Sequence, residues 1–224
     1  MKRSSLPVLL LLAGAAWTAG QAVLPDMGTA WSDRLAAVAA DRPMQALATA
    51  LFALAGVLLV AAAVVAGRAD VSGRGSGLMR AGTVMLGLGG VWLAAGRGAF
   101  NLHMYQLTDP AIGREAAETV ANADVGPGFL PLVLTLPALL LGPVVLAAGL
   151  LRARRAGALP WAALACWLLG IGAFVATEFT VKATEVAGIA VATVALVLLG
   201  RALSRPEEET APAAVPGESV AVRG

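Results

Sequence analysis

The sequence predicts an all-α, polytopic transmembrane helical bundle of six spans with both termini in the cytoplasm. Three observations predict it. The chain of 224 residues is 58% hydrophobic and 13% charged, against about 25% charged residues in soluble domains, so it lacks the polar coat a soluble fold of this size needs. Six apolar stretches stand out: Leu6–Leu24, Met44–Ala66, Ala81–Phe100, Phe129–Leu151, Pro160–Thr177 and Ala183–Leu203. The segments between them alternate in charge. Lys2, Arg3, Arg68, Arg74, Arg80, Arg152, Arg154, Arg155, Arg201 and Arg205 would share one side of a bilayer. Asp26, Asp33, Asp41, Asp109, Glu115, Glu118 and Asp124 would share the other. Cationic loops stay in the cytoplasm, which sets the orientation. Residues 1–205 therefore form one membrane domain, and residues 206–224 a tail.

The first span has two readings. Lys2 and Arg3 precede an apolar run, and Gly20-Gln21-Ala22 has the small-x-small form of a signal-peptide cleavage site. Leu6–Leu24 is also about 28 Å of helix, enough to span, and a retained helix is the favoured reading. In the first outer loop, Trp31, Leu35, Val38 and Ala39 recur at helical spacing before Pro43. They predict a short helix at the membrane surface, with Trp31 at headgroup level. Gly67–Arg80, rich in Gly, Ser and Arg, reads as a solvated cytoplasmic turn.

The third span is followed by the longest outer loop, Asn101–Gly128. Thr108-Asp109-Pro110 reads as a helix start, with Ile112, Ala116 and Val120 facing inward and Arg114, Glu115 and Glu118 outward. Val125-Gly126-Pro127-Gly128 ends that helix. The fourth span carries Pro131, Pro137 and Pro143, each removing a backbone donor and able to kink it. The fifth and sixth spans lack an obvious turn between them. One helix over Pro160–Leu203 would measure about 65 Å, twice the hydrocarbon thickness. A hairpin turning near Phe179–Ala183 resolves this. After Arg205 the composition changes to Glu207-Glu208-Glu209 and then Ala, Pro and Gly. It predicts a disordered, acidic cytoplasmic tail.

Span length points to a site. Ala81–Gly96 is about 24 Å of helix and Val186–Gly200 about 22 Å, short of the roughly 30 Å core. Arg97 and Glu185 are then drawn to the outer edge, where Gln21, Gln45 and Glu178 also fall. Asn101 and His103 lie just beyond. A charge in a bilayer costs least when paired, so Arg97 is expected to pair with Glu178 or Glu185, with Lys182 bridging the acids or snorkelling. The candidate ligand-binding residues are Arg97, Asn101, His103, Glu178, Lys182 and Glu185. They form an outward-facing polar pocket or, in the plainer alternative, a set of interface anchors with one structural ion pair.

Catalytic and metal machinery is not predicted. His103 is the only histidine and Cys166 the only cysteine, so neither a multi-ligand metal site nor an intramolecular disulfide can be assembled. Phosphate-cradling loops, His-Glu-x-x-His, paired cysteines and Gly-x-Ser-x-Gly are all missing from the sequence. No cofactor is expected. The net charge of +2, split among short segments, argues against nucleic acid and for lipid headgroups. Gly96-x-Gly98-Ala99-Phe100 and Gly170-x-Gly172-Ala173-Phe174 share a string that reads as two small-residue packing faces.

Gly142-Pro143-Val144-Val145-Leu146 through Arg152, followed by Ala158-Leu159-Pro160-Trp161-Ala162-Ala163, resembles uncharacterised six-helix integral membrane proteins common in high-GC Gram-positive bacteria. The resemblance implies a multi-pass bundle in the cell inner membrane and no particular activity. The function expected is non-catalytic: ligand or membrane-protein partner binding at the outer face. The alternatives are a small transporter or permease subunit, which needs a polar path into the inner halves of the helices, and a membrane-bound enzyme using His103. That enzyme needs a carboxylate within about 3 Å of the imidazole or one water away.

Overall fold

The computed structural model describes residues 5–26, 28, 30–68, 73–123, 130–154, 157–177 and 181–205. The tail 206–224, Glu178, Asp124, Arg155, the Val125–Gly128 turn and Phe179 lie outside the described residues. Those described form ten α-helices and one π-helical segment. In chain order they are α1 (Leu6–Val23), α2 (Trp31–Ala40), α3 (Arg42–Gly67), α4 (Ser76–Val91), the π segment (Trp92–Arg97), α5 (Gly98–Leu107), α6 (Arg114–Asn122), α7 (Leu130–Val133), α8 (Leu136–Arg152), α9 (Leu159–Thr177) and α10 (Lys182–Ser204). Six stretches are long and apolar enough to cross a membrane: α1, α3, the continuous rod Ser76–Leu107, Leu130–Arg152, α9 and α10.

Local chemistry explains the boundaries. Asp41 Oδ1 accepts from the Met44 N–H at 3.3 Å, and Pro43 sits in the first turn of α3, so the proline expected to end a loop instead opens the helix. Gly75 adopts φ +84° ahead of α4, a left-handed turn that suits glycine. The hairpin between the fifth and sixth spans is present, with α9 ending at Thr177 and α10 beginning at Lys182.

The spans follow one another around the bundle in chain order, and the last packs on the first: α1 touches α3 and α10, α4 touches α3 and α8, α9 touches α8 and α10. Buried residues run along each helix at alternating three- and four-residue steps, the pattern of a knobs-into-holes seam. On α3 the seam is Gln45, Ala48, Phe52, Ala55, Leu59, Ala62 and Ala66; on α10 it includes Glu185, Ile189, Ala192, Leu196, Leu199 and Leu203. Glycines bring the axes close. A Cβ on Gly188 would lie 2.6 Å from the Gly170 carbonyl oxygen and 2.9 Å from the Phe174 nitrogen. A Cβ on Gly82 would lie 2.5 Å from the Leu146 nitrogen, and one on Gly89 2.7 Å from the Leu139 Cα. Small residues of this kind allow tight helix contact in lipid, where apolar burial alone does not drive association. The Trp167 indole donates to the Leu140 carbonyl at 2.8 Å, tying α9 to α8 just before Pro143, which lies inside α8.

The two ends of the bundle differ in charge. One end carries Arg68, Arg74, Arg80, Arg152, Arg154, Arg201 and Arg205, and no acid among the described residues. The other end is covered by α2, α5 and α6, with α2 packed on both of the others and α5 also on α3. Here Leu35 and Val38 of α2 are buried as the helical spacing predicts, with Met104, Leu107, Ala117 and Ala121. Arg42 pairs with Asp109 at 3.3 Å and lies over the Tyr105 ring. Trp31 packs against Phe100 with ring centroids 6.2 Å apart.

Four expectations are corrected. The third span does not stop at Phe100. It runs on to Leu107, 32 residues in all, about 48 Å. Asn101 and His103 are helical rather than in a loop, and Arg97 sits ten residues inside the helix end rather than at it. The fourth span is broken: α7 is one turn, and α8 restarts at Leu136 with Pro137 in its first turn, because proline cannot donate and disfavours helix at the residue before it. The helix expected from Thr108 begins at Arg114. Asp109 Oδ1 instead accepts from the Ala111 N–H at 2.9 Å, holding a turn. The buried face of α6 is Ala117 and Ala121, while Ile112 and Val120 are exposed.

Candidate functional site

Four of the seams carry a buried polar residue at the capped end: Gln21 on α1, Gln45 on α3, Asn101 on α5 and Glu185 on α10. The Gln21 carboxamide donates from Nε2 to Glu185 Oε2 at 2.6 Å. Gln45 Nε2 donates to the Asn101 backbone carbonyl at 2.9 Å. The Lys182 ammonium bonds the Leu24 carbonyl at the end of α1, so it caps a helix terminus, where a cation is favoured. The Arg97 guanidinium stands over the rings of Phe52 and Phe100, 5.5 and 5.7 Å from their centroids. Phe52 lies two turns into α3 from Gln45, so the polar layer is about two helical turns deep.

The described residues thus place Arg97, Asn101, Lys182 and Glu185 at one end of the bundle, with Gln21 and Gln45 as their buried neighbours. Glu178, the other acid expected beside Arg97, lies outside the described residues. His103 is not part of the layer. It is exposed on α5, and no hydrogen bond or ion pair joins it to a described residue. Groups of three or more potential metal ligands do not occur among the described residues.

Sequence reasoning missed the partner of Gln45, because that partner is a main-chain carbonyl. It also missed the π segment, which carries no composition of its own. The signal was present in the phase of the seam. Leu86, Gly90 and Leu93 are buried at four- and three-residue steps. Continued in α-helical register, the next buried positions would be Arg97 and Phe100. Gly96 is buried instead, the wider π turn takes one extra residue, and burial passes on to Gly98 and Asn101. The break in the fourth span packs against this same segment.

Among the described residues of the layer, three side-chain atoms are buried without a hydrogen-bond partner: Gln45 Oε1 and both Asn101 Oδ1 and Nδ2. Nearer the arginine end the polar groups serve their own helices. Thr18 Oγ1 donates to the Gly14 carbonyl and Thr193 Oγ1 to that of Ile189, while the two hydroxyls lie 3.4 Å apart. On the outer surface of the cap, a separate cavity of about 230 Å³ lies between α2, Leu107–Ile112 and α6, lined by Leu35, Ala39, Leu107, Ile112 and Ala117. Asp109 at its rim is held below the usual carboxylate range, chiefly by the Ala111 N–H and also by Arg42.

No family model, no curated protein and no solved structure matches this chain.

Proposed function

We propose that the chain is a non-catalytic, multi-pass protein of the plasma membrane, with its arginine-rich end in the cytoplasm, and that the polar layer at the capped end binds a small ligand. The observation that carries this reading is the concentration of buried polar side chains from α1, α3, α5 and α10 into one layer, above seams that are otherwise almost wholly apolar. Polar groups inside a membrane are costly and usually serve a purpose. Two helix irregularities, the π segment and the broken fourth span, adjoin the layer, and such features recur at functional sites. The packing of α1 favours its retention: Leu10 and Trp17 are buried in the core, and Gln21 supplies the donor to Glu185. The bilayer is the first partner, through the basic end and the exposed apolar faces.

Reporter tags in the Gly75 and Thr108 turns test the threading. They are expected on opposite faces, with Gly75 cytoplasmic; appearance on one face overturns the orientation and with it the location of the layer.

A second reading, a small transporter or permease subunit, is favoured by the broken fourth span, since discontinuous helices line transport sites. It needs polar groups that lead on to the arginine end. Thr18 and Thr193 lead part of the way, but their hydroxyls bond their own helices. The enzymatic reading through His103 has no carboxylate beside the imidazole among the described residues.

A further inference from the structure

Resting on that reading of the polar layer, we propose that its Gln45–Asn101 amide pair is a binding site for an uncharged, donor-bearing group of the primary-carboxamide or urea class. Both side chains are fully buried, at 0% exposure. They adjoin, since Gln45 Nε2 bonds the Asn101 carbonyl. That bond also fixes the orientation of the Gln45 amide, leaving Oε1 as an acceptor. Asn101 contributes a further free acceptor and a free NH2 donor. Buried amide groups in native proteins are nearly always paired, by protein, water or ligand, and the need is sharper where the surroundings are hydrocarbon.

The inventory of free atoms selects the guest. Two carbonyl oxygens and one amide nitrogen await partners, so the guest must bring N–H or O–H donors and at least one acceptor. A carboxylate or a fully ionised phosphate brings acceptors only and would set its charge against two carbonyl dipoles. An ammonium brings donors only and would leave the Asn101 amide nitrogen without an acceptor, and its charge would lie on the same side of the bundle as Arg97, two turns along α3 over Phe52. A primary amide carries N–H donors and a carbonyl acceptor in one group, the types of partner the set calls for. The π segment supports the assignment independently. In plain α-helical register Phe100 would close the seam and fill the position with an apolar ring. The extra residue instead turns Asn101 inward and leaves Phe100 against Trp31, at the cost of a less favourable helix geometry.

The test uses the full-length protein in lipid nanodiscs, its unfolding midpoint read from tryptophan fluorescence, and three probes of similar size: acetamide, acetate and methylammonium. Acetamide is expected to raise the midpoint, by about 2–4 °C at roughly five times its dissociation constant and with the logarithm of its concentration above that, while acetate and methylammonium do not. Asn101→Leu is expected to abolish the acetamide response without lowering the midpoint of the unliganded protein, because it removes two orphaned polar atoms rather than a bonded pair. Gln45→Met provides a second variant should the first not fold, with the same loss of response. A flat acetamide series in the wild type overturns the proposal and leaves internal water as the partner of these amides. A response shared equally by acetate, or one that survives in Asn101→Leu, overturns it as well. A flat series with the Gly75 and Thr108 tags on opposite faces sinks the ligand class alone; tags on the same face sink the threading instead.

Discussion

Gln21 stands at the end of the α1 seam because Glu185 has to be met there. A buried carboxyl group needs hydrogen-bond partners, and leaving one of its oxygens unmet costs about 1–3 kcal/mol. Gln21→Leu keeps the side chain's bulk and removes the 2.6 Å bond. The variant is expected to unfold in detergent at a midpoint lower by about 2–4 °C for each kcal/mol lost; an unchanged midpoint would show that the bond contributes nothing. Asp109 behaves differently because it faces water. Its folded-state pKa lies below the ordinary value of 3.8, first through the Ala111 N–H and then through Arg42. Its contribution to the cap is therefore present above the ordinary value and lost as pH falls through the lowered one. Proteolysis or hydrogen exchange across Tyr105–Gly113 is expected to accelerate in that acid range. In Asp109→Asn the same segment should be looser at neutral pH and should lose most of its acid dependence.

Among the elements, α9 shows how glycines separate into packed and unpacked. Gly170 meets α10 at backbone distance and its partner Gly188 meets α9 in the same way, whereas nothing lies within 4 Å of a Cβ built on Gly172. Gly188→Ala must push α10 away from α9 and is expected to destabilise by about 1–3 kcal/mol, as overpacking does. Gly172→Ala should be neutral or stabilising by up to about 1 kcal/mol, from helix propensity. Equal midpoints for the two variants in detergent would refute the close contact. The shared Gly-x-Gly-Ala-Phe string therefore does not mark two equivalent faces: the first glycine of the α9 copy packs on a neighbouring helix, while Gly96 makes room for the ring of Trp92 on its own helix.

Elements also differ in how far the sequence revealed them. An apolar run of about 20 residues is a long signal, and each expected span corresponds to one of the six apolar helices. The extension of the third helix through Asn101–Leu107 is not written in hydropathy. It packs along the start of α3 and against α2, a tertiary cause. The face of α6 was misread because Ala116 with Val120 and Ala117 with Ala121 satisfy the same helical period, and larger side chains attract the assignment. At the candidate site the charged residues were visible as costly groups, and Arg97 and Glu185 do belong to the same end. The amide pair was hidden, since a neutral glutamine and asparagine send no charge signal and their juxtaposition depends on a π turn.

At the scale of the whole molecule, the charge difference between the ends is the property most directly tied to the bilayer. Seven described arginines gather where no described acid lies, and moving such a cluster across a membrane is what cationic loops resist. The opposite end holds both signs and carries two extra helices, so it has the surface needed to meet solutes. Between the ends, the apolar seams bring together helices distant in sequence, with the Gln21–Glu185 bond bridging 164 positions.

That bridge joins the first of the six described apolar helices to the last. Because α10 is made after α1, the flank of α1 that packs on α10 gains this neighbour only once the sixth helix has been synthesised. The ring of six stays an open horseshoe until then, and Gln21 meets its carboxyl partner only when the ring closes.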